Sequence, residues 1–181
     1  MRIYMMTDME GSCGILNHDD WVCPDGEFYQ LGKKYLTEEI NAAVKGFFDA
    51  GATYIFICDG HGYGAIDYDL LDKRVEYMIL RNAEDKSYPF GLDSSYDAFA
   101  FVGQHAKAGT LYSHITHTGW FDCINYSVNG VSIGEYGTVA LPAAERGVKG
   151  IFACGELAFC KEAQALNPGI ETVWTKEGIN D

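Results

Sequence analysis

The sequence predicts an α/β fold: a largely parallel central sheet flanked by helices, with a β-hairpin insertion. Three observations carry this reading. Four apolar runs, at residues 2–8, 53–58, 98–102 and 149–153, lack the polar alternation of a half-exposed strand and read as strands covered on both faces. A helical apolar stripe joins the first two runs, so strand, helix and strand form a crossover unit with parallel strands. The dipeptide Asn129-Gly130 between apolar runs is the strongest short hairpin signal in the chain.

The first strand, residues 2–8, closes in Met6-Thr7-Asp8-Met9-Glu10-Gly11. Residues 11–32 form a long connection with Gly, Pro, Asn and Asp, and a connection of that length is often functional. Residues 35–50 read as a helix. Thr37 offers an N-cap, Glu38 and Glu39 suit the positive helix end, and Gly51 stops it. Its buried stripe is Ile40, Ala43, Val44, Phe47 and Phe48. The second strand, 53–58, ends in Asp59-Gly60-His61-Gly62. A loop at 62–72 precedes a candidate strand at 75–80. The buried strand at 98–102 ends in Gly103-Gln104-His105. Residues 109–119 carry His114 and His117, and the hairpin arms follow at 121–128 and 131–133. Gly134-Glu135 opens a helix to about Arg146, where Pro142 predicts a kink or early break. The strand at 149–153 ends in Cys154-Gly155-Glu156. A helix through about Leu166 and a short strand at 171–174 complete the pattern. No internal repeat, low-complexity tract or linker interrupts it, so residues 1–181 are expected to form one domain.

Bulk properties narrow the function. With 181 residues, 48% of them apolar, the chain can bury a full core. A formal charge of -13 and a pI near 4.6 argue against nucleic acid or an anionic membrane surface as partner. That charge suits a site that gathers cations, although a solvated acidic surface is the commoner explanation. Six cysteines form no C-x-x-C pair, and Cys58 and Cys154 sit inside apolar runs as small hydrophobes. A reducing compartment is expected. The N-terminus does not read as a signal peptide, and no apolar run reaches membrane-spanning length, so a cytoplasmic location is expected.

Asp8 and Glu10 are two apart at a strand end, where side chains share a face. Two carboxylates aimed at one point repel unless a cation or proton lies between them. Alone, the pair reads as a solvated acidic turn. Three buried strands, however, end in a chemical group: Asp8 with Glu10, Asp59 with His61, and His105. In an open parallel sheet, ligands bind beyond the carboxyl ends of the strands. Each residue has a plainer role. A histidine can sit in a turn, Asp59 can make an Asx turn before Gly60, and Glu135 can simply begin its helix. Coincidence at three strand ends favours a site. Aspartate, glutamate and two histidines form an oxygen and nitrogen set suited to zinc, manganese or similar ions. The surplus of carboxylates suggests two ions with one carboxylate bridging. Such a site can hold a hydroxide nucleophile and polarise a carbonyl. A histidine at the rim, His114 or His117, could then move protons.

These residues resemble the D-aminopeptidase family of dinuclear zinc peptidases, the DppA-type M55 peptidases. The resemblance runs over nearly the whole chain. It rests on Thr7-Asp8-Met9-Glu10-Gly11, Asp59-Gly60-His61, residues 103–108 (Gly-Gln-His-Ala-Lys-Ala), Thr116-His117-Thr118, residues 131–135 (Val-Ser-Ile-Gly-Glu) and residues 153–156 (Ala-Cys-Gly-Glu), in the family's order. By that resemblance Asp8 bridges two Zn2+ ions, with Mn2+ or Co2+ as substitutes. Glu10, His61, His105 and Glu135 supply the other metal ligands, and His117 is the catalytic histidine. Asp59, His114 and Glu156 are candidates for an outer layer that supports these groups. The resemblance implies an aminopeptidase that releases N-terminal, D-configured residues from short peptides. It also implies a homo-oligomer, in the form of a ring-shaped decamer. The chain departs from the family where Asn180 is reached, since members usually continue. The expectation is a short subfamily or a chain lacking that C-terminal segment. Asp59-Gly60-His61 lacks the serine often found before the histidine, Asp67 stands near the place of a common asparagine, and a frequent Gly-Asp-Asp reads Gly155-Glu156-Leu157. These departures touch substrate choice more than metal binding. They leave two alternatives: a metal-dependent amidase acting on a non-peptide amide, and a catalytically silent metal-binding assembly protein.

Overall fold

The computed structural model describes residues 1–80 and 88–179. Its elements are β1 (Arg2–Thr7), α1 (His18–Trp21), α2 (Tyr29–Asp49), β2 (Tyr54–Asp59), β3 (Glu76–Ile79), β4 (Ala98–Gln104), β5 (Tyr126–Val128), β6 (Val131–Ile133), α3 (Glu135–Glu145), β7 (Lys149–Glu156), α4 (Leu157–Leu166) and β8 (Glu171–Lys176). Six strands form one sheet in the order β3-β2-β1-β4-β7-β8, and every adjacent pair is parallel. β5 and β6 pair antiparallel in a separate hairpin, with Asn129 and Gly130 both at positive φ. This is the fold the sequence predicts.

The central strands β1, β2 and β4 are covered on both faces, as their apolar runs require, whereas the edge strand β8 leaves Val173 and Trp174 exposed. Along β1, Ile3 and Met5 point to one side, where they meet Leu36, Ile40 and Val44 of α2. Tyr4 and Met6 point to the other, where Tyr136 and Val139 of α3 and Phe159 and Ala163 of α4 close the second core. Strand order runs outward from β1 in one direction through β2 and β3, and in the other through β4, β7 and β8. The chain therefore reverses its winding between β1 and β4. The C-terminal ends of those two strands flank the crevice where such sheets bind ligands.

Several boundaries differ from the sequence reading. α2 begins at Tyr29, six residues before the expected start. Thr37 is therefore no N-cap. It lies buried inside the helix, donating to the Lys33 carbonyl at 2.7 Å and accepting from the Asp67 amide at 2.8 Å. The true N-cap, Phe28, makes no side-chain capping bond and so leaves no cap signature. Gly32, which looked like loop, packs within the first turns of α2, where a side chain would collide with Met9 and Ile15. α3 passes through Pro142 to Glu145 rather than breaking there. β7 extends three residues further, to Glu156, and β8 two further, to Lys176. Residues 121–125 of the expected first arm are irregular, and only 126–128 pair in the hairpin.

Candidate metal centre

The ends of β1, β2 and β4 are locked together by their backbones. Asp8 N donates to the Val102 carbonyl at 3.0 Å, Gly11 N to the Gly103 carbonyl at 2.9 Å, and Gly60 N to the Thr7 carbonyl at 2.9 Å. Two glycines make this approach possible. A Cβ on Gly11 would overlap the Gln104 carbonyl, and one on Gly103, at φ +79°, would overlap the Asp8 carbonyl. The side chains of Asp8, Glu10, His61 and His105 are thereby directed into one buried space.

Within it the Asp8 carboxylate faces two ways. Oδ1 lies 3.3 Å from His61 Nδ1, and Glu10 Oε2 lies at the same distance from that nitrogen. Oδ2 lies 3.1 Å from His105 Nε2, which is 3.7 Å from Glu135 Oε1. The Met9 amide donates to Asp8 Oδ1 at 2.9 Å and to Glu10 Oε2 at 3.3 Å, which steadies both carboxylates. Glu135, on the first turn of α3, is held by Gln104 Nε2 at 3.0 Å and by the Gly119 amide at 2.8 Å. His117 Nε2 lies 3.8 Å from Glu135 Oε1, and the His117 ring stacks on His105 with centroids 3.9 Å apart. The atoms fall into two groups, Asp8-Glu10-His61 and His105-His117-Glu135, each with its candidate ligand atoms within 4.8 Å of one another. Asp8 touches both.

The tautomers matter most. His61 Nε2 meets the Val22 carbonyl at 2.9 Å, His105 Nδ1 the Ala106 carbonyl at 2.8 Å, and His117 Nδ1 the Ile115 carbonyl at 3.0 Å. A carbonyl can only accept, so each of these nitrogens carries its proton. In the neutral ring the other nitrogen then presents a lone pair to carboxylate oxygens. His105 Nε2 is buried and has no hydrogen bond of acceptable geometry, although Asp8 Oδ2 is close. Lone pairs facing carboxylates need a positive charge between them. A proton is one solution. Burial opposes it on His105, but Glu135 and Asp8 outweigh burial and push the pKa up to about 10. On His61 burial is likewise overcome by Glu10 and Asp8, and the pKa rises well above its ordinary value. Burial would raise the pKa of Asp8, yet the imidazoles of His105 and His61 beside it hold it well below the usual carboxylate range. A metal ion is the other solution. Imidazoles oriented by backbone carbonyls, together with carboxylates that have their own donors, form a mixed set that fits zinc.

Three further residues named from the sequence have different placements. Asp59 is buried and accepts from the Ala65 amide at 2.7 Å, the Ile66 amide at 3.1 Å and the Tyr77 hydroxyl at 3.3 Å. It shapes the loop that follows His61, and burial raises its pKa. Glu156 accepts from the Ser113 hydroxyl and the His114 amide. His114 lines a separate cleft beside Cys13 and Lys176, and its pKa is lowered by burial and by Lys176. Of the two rim histidines, His117 is the one at the centre.

Sequence reasoning missed several contributors. Gln104 was legible only as part of a motif. The Val22, Ala106 and Ile115 carbonyls carry no side-chain signature. Lys176, at the end of β8, donates to the Glu10 carbonyl, a contact spanning most of the chain. His18, Asp19 and Cys23 form a third group able to hold a metal, but His18 and Asp19 already pair at 2.9 Å and Asp19 is solvent-exposed. The centre opens into a cleft of about 800 Å³ whose lining includes Tyr63, Tyr88, Phe90, Trp120 and Tyr126.

Fold and centre together define a parallel α/β domain with a carboxylate–imidazole centre of metal-binding type at the switch point of its sheet. The chain belongs to the D-aminopeptidase family of M55 peptidases, whose model matches residues 1–181. It is 29% identical over 182 residues to the D-aminopeptidase of Bacillus subtilis (strain 168), covering 99% of this chain and 65% of that protein. Its structure resembles that of a relative described as the Zn-dependent D-aminopeptidase DppA from Bacillus subtilis, a self-compartmentalizing protease. The TM-score is 0.90 at 28% sequence identity, again covering 99% of this chain and 65% of that one. The chain thus spans about 65% of the length of the relatives it matches.

Proposed function

We propose that this chain is a zinc-dependent aminopeptidase that releases N-terminal residues, D-configured by preference, from short peptides. One observation carries the proposal: three imidazoles are each pinned by a backbone carbonyl, and their other nitrogens face carboxylates, His61 and His105 both meeting Asp8 and His117 facing Glu135. Asp8 would bridge two ions, with Glu10 and His61 completing one ligand group and His105 and Glu135 the other. When bound, zinc supplies Lewis acidity to the scissile carbonyl and lowers the pKa of water. The protein supplies the rest. The aromatic walls of the cleft exclude water from around the peptide bond. His117 Nε2, stacked over His105 and free of a hydrogen bond to the backbone, can take a proton at that atom and return it to the leaving amine. The names of the relatives support zinc and the D-preference. The description of one of them as self-compartmentalizing supports self-assembly of this chain into a closed homo-oligomer such as a ring. A cytoplasmic location belongs to the same proposal, in keeping with six unpaired cysteines. None of the described helices is long and apolar enough to cross a membrane.

The test is hydrolysis of D-alanyl and L-alanyl peptides before and after chelation. The proposal expects release of D-alanine that chelation abolishes and zinc restores. Full activity on D-peptides in metal-free protein would refute it. A preference for small amides over any peptide would instead favour the amidase reading.

A further inference from the structure

We propose that Glu156 is a positioning residue for His117, acting through the loop that precedes it. The inference rests on the catalytic role assigned to His117 above. Glu156 closes β7, is fully buried, and accepts two hydrogen bonds, from the Ser113 hydroxyl and the His114 backbone amide. Those donors lie in a segment with costly backbone geometry: Tyr112 has φ 53° and Ile115 φ 57°. For a β-branched residue such as Ile115, this left-handed conformation is a genuine outlier that persists only where its surroundings enforce it. The Ile115 side chain packs against the core on the α2 side, and the Glu156 carboxylate grips the two residues just before it.

The consequence is chemical. The left-handed turn at Ile115 presents its carbonyl to His117 Nδ1 at 3.0 Å. That bond fixes the tautomer of His117 and leaves Nε2 free, 3.8 Å from Glu135 Oε1. Glu156 does not belong to either group of candidate metal ligands. Its path to His117 runs from carboxylate to loop to carbonyl to imidazole; a separate electrostatic contact with Lys176, which donates to the Glu10 carbonyl, is what the zinc measurement below controls for.

The test is a double-mutant cycle of Glu156→Gln with His117→Ala. Gln keeps one acceptor oxygen and turns an amide against the other donor. Glu156→Gln is expected to lower kcat by about a hundredfold, a typical cost of misplacing a catalytic group, with KM and bound zinc unchanged. In the His117→Ala background the same substitution should cost nothing further. Ser113→Ala, which removes one of the two bonds at lower risk to folding, should give a smaller loss that also vanishes in that background. Glu156→Asp, which keeps both acceptor oxygens, should restore part of kcat. Equal losses with and without His117, a fall in zinc content that accounts for the lost rate, or unchanged kcat in both Glu156→Gln and Ser113→Ala would overturn the inference. If His117→Ala itself keeps full kcat, the catalytic reading of His117 fails first, which distinguishes that failure from a failure at Glu156.

Discussion

Asp8 Oδ2 and His105 Nε2 face each other at 3.1 Å, and because the Nδ1–H of His105 is already given to the Ala106 carbonyl, only a second proton on Nε2 or a metal ion can join them. The same Asp8 meets His61 through its other oxygen. A single carboxylate thus joins the two candidate half-sites. Asp8→Asn should therefore lower zinc occupancy in both half-sites together. His61→Ala and His105→Ala should each lose one ion while keeping most of the other. Elemental analysis of the three variants, with circular dichroism to verify folding, measures this pattern.

His117→Ala should lower kcat by a factor of about 10² to 10⁴, the usual contribution of a general acid–base group. Zinc content should stay at the wild-type level, because the proposed ligands of that half-site, Asp8, His105 and Glu135, remain. Steady-state kinetics beside metal analysis distinguishes this from simple loss of metal.

Gln104 offers a subtler handle. Its amide holds Glu135 Oε2 at 3.0 Å, leaving Oε1 directed at His105 and His117. Gln104→Ala should weaken zinc affinity in that half-site by about 10- to 100-fold, as loss of a ligand-orienting partner commonly does. Competition titration against a chelating dye would read it.

The metal-free protein should show a pH signature. The pKa of His105 rises from 6.5 to about 10 on folding. A group raised in this way contributes stability that is fully present below about pH 6.5 and is lost as pH rises through about 10. The depressed pKa of Asp8 acts at the other end, with stability present above 3.8 and lost as pH falls toward its lower folded value. Thermal melts of chelated protein should therefore fall steadily from pH 6.5 toward 10. Zinc-loaded protein should be flatter over that range, since the imidazoles then hold metal in place of protons.

Gly103→Ala tests the backbone lock beneath the site. The residue sits at φ +79° against the Asp8 carbonyl. Backbone strain alone should cost about 1–3 kcal/mol, and the collision should add to it, so a large drop in melting temperature and a loss of zinc binding are expected together.

Much of this centre was legible in the sequence because strands report their own ends. Asp8 and Glu10 share a face by the two-residue period of β1, and His61 and His105 follow the ends of β2 and β4, the buried strands that flank β1. Glu135 was harder. It lies on the first turn of a helix after the hairpin, where a glutamate has an ordinary helix-starting role, and only the family resemblance singled it out. The choice of His117 over His114 likewise came from the resemblance, and the left-handed residues Tyr112 and Ile115 that precede it carry no signal of their own in the sequence. The start of α2 was misplaced for a related reason. Thr37 followed by two glutamates imitates a helix start, whereas the real one, at Phe28, has no capping side chain. What stayed hidden throughout were backbone partners: the Val22, Ala106 and Ile115 carbonyls set three tautomers without leaving a trace in residue identity.

The most direct measurement is zinc stoichiometry of the purified chain after chelation and reloading, read by elemental analysis. The account predicts about two ions per chain, the complement of a two-metal centre, and simultaneous loss of both in Asp8→Asn. A folded protein that binds no zinc when it is offered, or a wild-type level of zinc in Asp8→Asn, would contradict it.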